Sequence, residues 1–312
     1  MFQIFQELHE VRLSDAHNTI HIWPAHGAIL NGWTCNGFGE NLEVVDGYDS
    51  PEDFTRNGEA KGFRSMKLSP FVCRMAEGSY RFDNIPYKVE KFYLGSCAIH
   101  GLIYDAPFTV THTETGEDFA SVTMEYHYAA KDPGYPFSYL ARVKYTLRPG
   151  NSLALETTIV NTGASDIPIS DGWHPYFKLG DRADQWQLQM AASRMVEFDD
   201  KLLPTGKLLH DTRFLEPASL AGVELDNCFL LDRPGETVAG KLIHPQKSIA
   251  IELFPDAAYP YMQVYIPPHR SSIAIENLSS APDAFNNGLG LIVLEPGAGK
   301  LFTAHYRVVE NS

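Results

Sequence analysis

The sequence predicts an all-β fold, a large antiparallel β-sandwich with few short helices. Short apolar or β-branched runs recur along the chain, and clusters of Gly, Pro, Asn and Asp punctuate them. Almost no stretch holds a helical period for ten residues. Of the 312 residues, 44% are hydrophobic and 12% aromatic, ample for a sizeable core. No composition shift, low-complexity tract or fixed-period repeat marks a linker, so residues 1–312 are expected to form a single domain.

TIHIW (19–23) and YKVEKF (87–92) read as short strands, with SPEDFTRN (50–57) between them as one short helical turn. SVTMEYHYA (121–129) alternates in part. YLARVKYTL (139–147) and SLALETTIV (152–160) alternate better and flank RPGN (148–151), which supplies turn chemistry, so the pair reads as a hairpin. WQLQM, SIAIELF, YMQVYI, SIAIENL and GLIVL complete the series, separated by DRPGE, FPDAAYP and EPGAG. Many short strands at such spacing point to a sandwich or barrel.

Charge excludes some functions. With 25 basic and 39 acidic residues the net charge is 25 − 39 = −14, which disfavours nucleic acid and anionic membrane as partners. Cys35, Cys73, Cys97 and Cys228 are scattered, with no CxxC pair, so neither a structural zinc site nor a disulfide framework is expected. The N-terminus lacks a basic start followed by an apolar region, and no apolar run approaches a membrane span of ~20 residues. A cytoplasmic protein is the expectation. Monomer and homodimer both stay open.

Five polar residues follow or interrupt apolar runs: Arg74 in KLSPFVCRMAEG, His100 in CAIHGL, His174 in DGWHPYFKLG, Asp226 in ELDNCFLLD and Glu276 in SIAIENLSSAPDAFN. At strand ends or on a concave face such side chains can converge on a pocket. Each also has a structural reading. Arg74 fits a surface charge, His100-Gly101 a turn, Asp226 a turn or cap, and His174 a packed core histidine. Glu276 is harder to place, because a carboxylate after an alternating Ile-Ala-Ile needs solvent or a partner. His17 and His21 lie in extended sequence, and His100, His174 and Asp226 have no metal-ligand spacing, so no metal is expected. The serine-hydrolase elbow and the glycine-rich phosphate motifs are absent.

Taken in order, KLSPFVCRMAEGSYRF, AIHGL, YPFSYLARVKYTL, VNTGASDIPISDGWHPYFKL, LDNCFLL, IAIENLSSAPDAFN and LEPGAGKLFTAHYRV resemble the aldose 1-epimerase (mutarotase) family from about residue 25 to the C-terminus. HPYF is the most specific piece. The resemblance implies a galactose-mutarotase-like supersandwich with a concave sugar-binding face. It implies His174 as general acid, Glu276 as general base, and Arg74, His100 and Asp226 as holders of the sugar hydroxyls. The chain departs from many galactose enzymes in two places: no glutamine closely follows Glu276, and one glycine, not two, follows His100.

Anomer interconversion of an aldopyranose removes a proton from O1 and adds one to the ring oxygen O5. The ring opens, the C1–C2 bond rotates, and the ring closes on the other carbonyl face. A carboxylate and an imidazolium suffice, and no cofactor is required. Trp173, Tyr176 and Phe177 are expected to lower the His174 pKa by burial, and Asp226 or Glu276 to raise it back toward neutrality. Three alternatives stay open. A hexose 6-phosphate substrate would need a basic cluster, for which Arg64, Lys67 and Arg74 are candidates. A non-catalytic sugar binder could use the same scaffold. Asp226 and Glu276 could also act as a glycosidase pair.

Overall fold

The computed structural model describes residues 1–38 and 41–311 and is an antiparallel β-sandwich. A nine-stranded sheet is built around the predicted hairpin, Tyr139–Arg148 with Ser152–Asn161, in which Tyr139 pairs with Asn161 and Arg148 with Ser152. The long C-terminal strand Gly299–Glu310 lies between Ser152–Asn161 and Ile249–Pro255. Facing this layer is an eight-stranded sheet. Its central path runs Asp226–Leu230, Tyr261–Tyr265, Ile273–Leu278, Gly172–Trp173 and Lys67–Leu68, with Tyr176–Phe177 also paired to Ile273–Leu278. A five-stranded N-terminal sheet joins the same buried apolar cluster.

The period-2 alternation of strands assigns each side chain to a face. Along Ile273–Leu278, Ile273 and Ile275 enter the core cluster, while Ala274, Glu276 and Leu278 take the opposite face. Met262 and Val264 follow the core, and Gln263 follows Glu276, its direct partner across the ladder. Asn277 Oδ1 accepts from Tyr306 Oη at 2.5 Å, and Trp173 Nε1 donates to Thr157 Oγ1 at 3.0 Å. These two bonds fasten the eight-stranded sheet to the nine-stranded one. They also fix which face of each strand is left for chemistry.

Two readings of the sequence change. SPEDFTRN forms a full helix, Pro51–Asn57, because Ser50 caps it through Oγ and a proline pre-sets its first turn. YKVEKF is a strand only to Lys88. The Asp132 carboxylate takes the Glu90 N–H at 3.0 Å and draws the backbone off the ladder.

Candidate active site

Arg74, His100, His174, Asp226 and Glu276 all line one pocket of about 360 Å³, on the face of the eight-stranded sheet that carries Glu276 and Gln263. They come from five separate parts of the chain. The backbone makes each position intelligible.

His174 sits between the short strands Gly172–Trp173 and Tyr176–Phe177. Both pair with Ile273–Leu278, Trp173 with Asn277 and Tyr176 with Ala274. Pro175 interrupts the ladder, having no N–H to donate, but its carbonyl still accepts from Ile275 N at 3.2 Å. On its other edge His174 is held by two backbone bonds, donating N–H to Met66 O at 3.1 Å and accepting at its carbonyl from Ser65 N at 2.8 Å. Trp173 and Phe177 turn into the core, so they do not cover the imidazole as expected. Tyr176 alone of the three stacks on it, at 5.3 Å between centroids and 9° between planes. The His100 ring meets His174 edge-on at 5.0 Å, and Phe63 meets His100 at 4.6 Å.

His100-Gly101 is a turn, and it is also part of the pocket. His100 has φ 59 and Gly101 φ 80, both left-handed. A Cβ on Gly101 would fall 2.0 Å from Ser69 O. Gly101→Ala is therefore expected to lower stability by ~1–3 kcal/mol, as thermal unfolding would show. It should also lower activity, because the turn aims His100. Arg74 enters from the strand beside this turn, its backbone paired with Ile99.

Glu276 is 2% exposed and His174 5%. Their side chains meet, with His174 Nε2 3.3 Å from Glu276 Oε1. On the far oxygen of the carboxylate, the Cys73 thiol donates to Oε2 at 3.9 Å. Asp226 Oδ1 accepts from Gln263 Nε2 at 2.7 Å. Burial pushes the Glu276 carboxyl well above the usual carboxylate range, and the nearby Asp226 adds to this. Asp226 is also raised by burial, with Arg74 opposing. Burial lowers His174 to about 4, so the return toward neutrality expected from its acidic neighbours is not found. His100 is driven well below its ordinary value by burial, then by His174 and Arg74.

These directions describe one coupled unit. Imidazolium with carboxylate, and imidazole with carboxylic acid, contain the same number of protons. Burial disfavours net charge, so this one-proton state is favoured over a wide pH range. Around it, His100 Nδ1, His174 Nδ1, Tyr176 Oη and Gln263 Oε1 are buried without a hydrogen-bond partner among the described residues. Sequence reasoning missed Gln263, whose signal is a polar residue on the Glu276 face of an apolar strand, and it missed Cys73 as a neighbour of the base. Among the described residues no group of three or more His, Cys, Asp or Glu side chains could hold a metal ion.

Lys67, a candidate for a phosphate-binding cluster, does not line the pocket. It is fully buried and paired with Asp171 on the core side. Arg64 does line the pocket, but its guanidinium is engaged by Asp46 at 3.0 Å. None of the described helices is long and apolar enough to cross a membrane.

Comparison with known proteins bears on the fold and the family. The chain is 28% identical over 239 residues to the uncharacterized protein YihR of Escherichia coli K12, covering 74% of each chain. It is 24% identical over 230 residues to a probable aldose 1-epimerase of Arthroderma benhamiae, covering 63% of this chain and 52% of that one. The fold matches a galactose mutarotase-like protein of Clostridium acetobutylicum with a TM-score of 0.87 at 18% identity, covering 99% of this chain and 98% of the other. It matches the galactose 1-epimerase of Lactobacillus acidophilus with a TM-score of 0.81 at 20% identity, covering 100% and 99%. The aldose 1-epimerase family profile matches residues 9–307, nearly the full length, and the chain belongs to that family.

Proposed function

We propose that the protein interconverts the α and β anomers of a neutral aldohexose, such as galactose or glucose, by acid–base ring opening and closure without a cofactor. The observation that carries this reading is the 3.3 Å contact between His174 Nε2 and Glu276 Oε1, both of which line the pocket. O1 and O5 are both bonded to C1, so an acid and a base that line one pocket can serve both in a single bound sugar. Glu276 removes the O1 proton and His174 supplies one to O5. The C1–O5 bond breaks, the C1–C2 bond rotates, and on closure Glu276 gives its proton back to O1 while His174 takes its own back from O5. Arg74, His100 and Asp226 bind the hydroxyls and hold the ring in place.

A neutral sugar is favoured over a hexose 6-phosphate because the anticipated basic cluster is depleted. Of Arg64, Lys67 and Arg74, Lys67 is sealed away with Asp171 and Arg64 is paired with Asp46, which leaves Arg74 in the pocket facing Asp226. A non-catalytic binder has no use for a matched acid and base in contact. Asp226 fits a hydroxyl holder better than one of a glycosidase pair, being tied to Gln263 and facing the Arg74 charge. Polarimetry of freshly dissolved α-anomers, with glucose 6-phosphate and a disaccharide in the panel, tests the whole reading. Faster mutarotation of the free hexoses supports it. No acceleration of any sugar, or release of reducing sugar from the disaccharide, overturns it.

The pH profile provides a second check. Activity requires the one-proton state of the pair. Burial holds the histidine below its ordinary 6.5, so the doubly protonated form is reached only at lower pH. Burial of Glu276 keeps the last proton on the pair as pH rises. The rate should thus be level through neutrality, with its acid limb below 6.5. An acid limb at or above that value contradicts the assignment.

A further inference from the structure

Behind the pocket lies a buried ionic network that the proposed chemistry does not use. Lys67 and Asp171 are both fully buried. Lys67 Nζ donates to Asp171 Oδ2 at 2.5 Å, to Gly172 O at 3.0 Å and to Leu68 O at 3.4 Å. It also lies over the Trp173 ring, 4.8 Å from the centroid. The second carboxylate oxygen of Asp171 accepts from Tyr259 Oη at 2.6 Å. Asp171 N donates to Ser279 Oγ, and Ser279 N donates back to Asp171 O, each at 2.8 Å.

The placement of these bonds is informative. Lys67 belongs to the strand that flanks Gly172–Trp173, with Trp173 opposite Lys67 and Gly172 opposite Leu68. The residues just before it, Ser65 and Met66, make both backbone bonds to His174. On the other side Gly172 pairs with Leu278, two residues after Glu276. Asp171 thus ties the segment that clamps His174 to the end of the strand that bears Glu276. A buried ion pair is costly to desolvate and is often replaceable by apolar residues without loss of stability. Stability is therefore a poor reason for this pair, and register is a better one.

We propose that Lys67 and Asp171 are positioning residues that set the separation of the His174 imidazole and the Glu276 carboxylate. The inference rests on the functional reading above. Neither residue touches the pocket, so they act only through the strands they join. Losing a single partner would strand a buried charge, so the test is the paired variant Lys67→Met with Asp171→Asn. The asparagine can still accept from Tyr259, and the methionine fills the lysine stem's space.

The paired variant should fold with a melting temperature no lower than wild type. Its kcat should fall by about 10²-fold, the scale of a small misplacement of reacting groups. KM should stay within about threefold, because the hydroxyl-binding residues are untouched. The acid limb of its pH profile should move up toward the ordinary histidine value as the imidazole is released from its fixed place. A folded paired variant with wild-type kcat and pH profile overturns the proposal. NMR titration of the His174 ring separates this failure from that of the functional reading. Wild-type protein that accelerates no sugar defeats the epimerase assignment. A His174 titration identical in folded wild type and folded variant defeats the positioning role, whatever the substrate. A displaced midpoint or a second set of ring signals supports it.

Discussion

Replacing Glu276 by glutamine is expected to slow mutarotation by about 10²–10⁴-fold, the contribution of one well-placed proton transfer. The side chains are nearly isosteric, so the pocket keeps its shape. What is lost is the capacity to take the O1 proton. Fold stability should hold or rise, because the substitution removes an ionisable group from a buried position beside Asp226. The Cys73 thiol can still donate to the amide oxygen, so the orientation of the side chain survives. Sugar affinity should change much less than kcat, since Arg74, His100 and Asp226 are untouched. Polarimetry gives the rate, and thermal unfolding shows that the variant is folded. A folded Glu276→Gln protein with full rate would remove the base assignment. Sugar binding without any rate effect in the wild type would instead make the protein a binder.

The sandwich was legible because strand pattern and turn chemistry are local. RPGN between two alternating runs gives the hairpin with no knowledge of the rest of the chain. The five site residues were found as polar interruptions of apolar runs, and the ordered resemblance gave them roles. Their convergence was not readable, since 276 − 174 = 102 residues separate His174 from Glu276 and only the pairing of Ile273–Leu278 with Gly172–Trp173 and Tyr176–Phe177 closes that gap.

What misled was mostly the direction of side chains. Trp173 and Phe177 look like a box around His174 in sequence, yet alternation sends both to the opposite face. Lys67 looks like a pocket cation for a phosphate, yet its position opposite Trp173 drives it into the interior, where Asp171 meets it. The electrostatics of His174 also depended on tertiary burial. Neighbouring carboxylates were expected to restore its pKa, but one of them, Glu276, is itself pushed toward its neutral form.

Replacing His174 by glutamine should cost a comparable ~10²–10⁴-fold, and its pH profile should identify the role. The glutamine amide can reach the Glu276 carboxylate but has no proton to give O5. In the wild type the rate is bounded on both sides, because the reactive unit must carry one proton. In the His174→Gln protein only the carboxyl titrates, and catalysis needs it ionised. Burial and Asp226 hold that carboxyl above the usual range, so the residual rate should rise with pH through the Glu276 pKa and show no alkaline fall from this pair. A bell-shaped profile retained in the variant would mean that another group supplies the proton. His100 is the nearest imidazole to consider, 5.0 Å away between ring centroids. The double variant Glu276→Gln with His174→Gln should be scarcely slower than either single one. Two groups that act as one proton-transfer unit lose nearly everything when either is removed. Additive losses would indicate that the acid and the base work in separate steps.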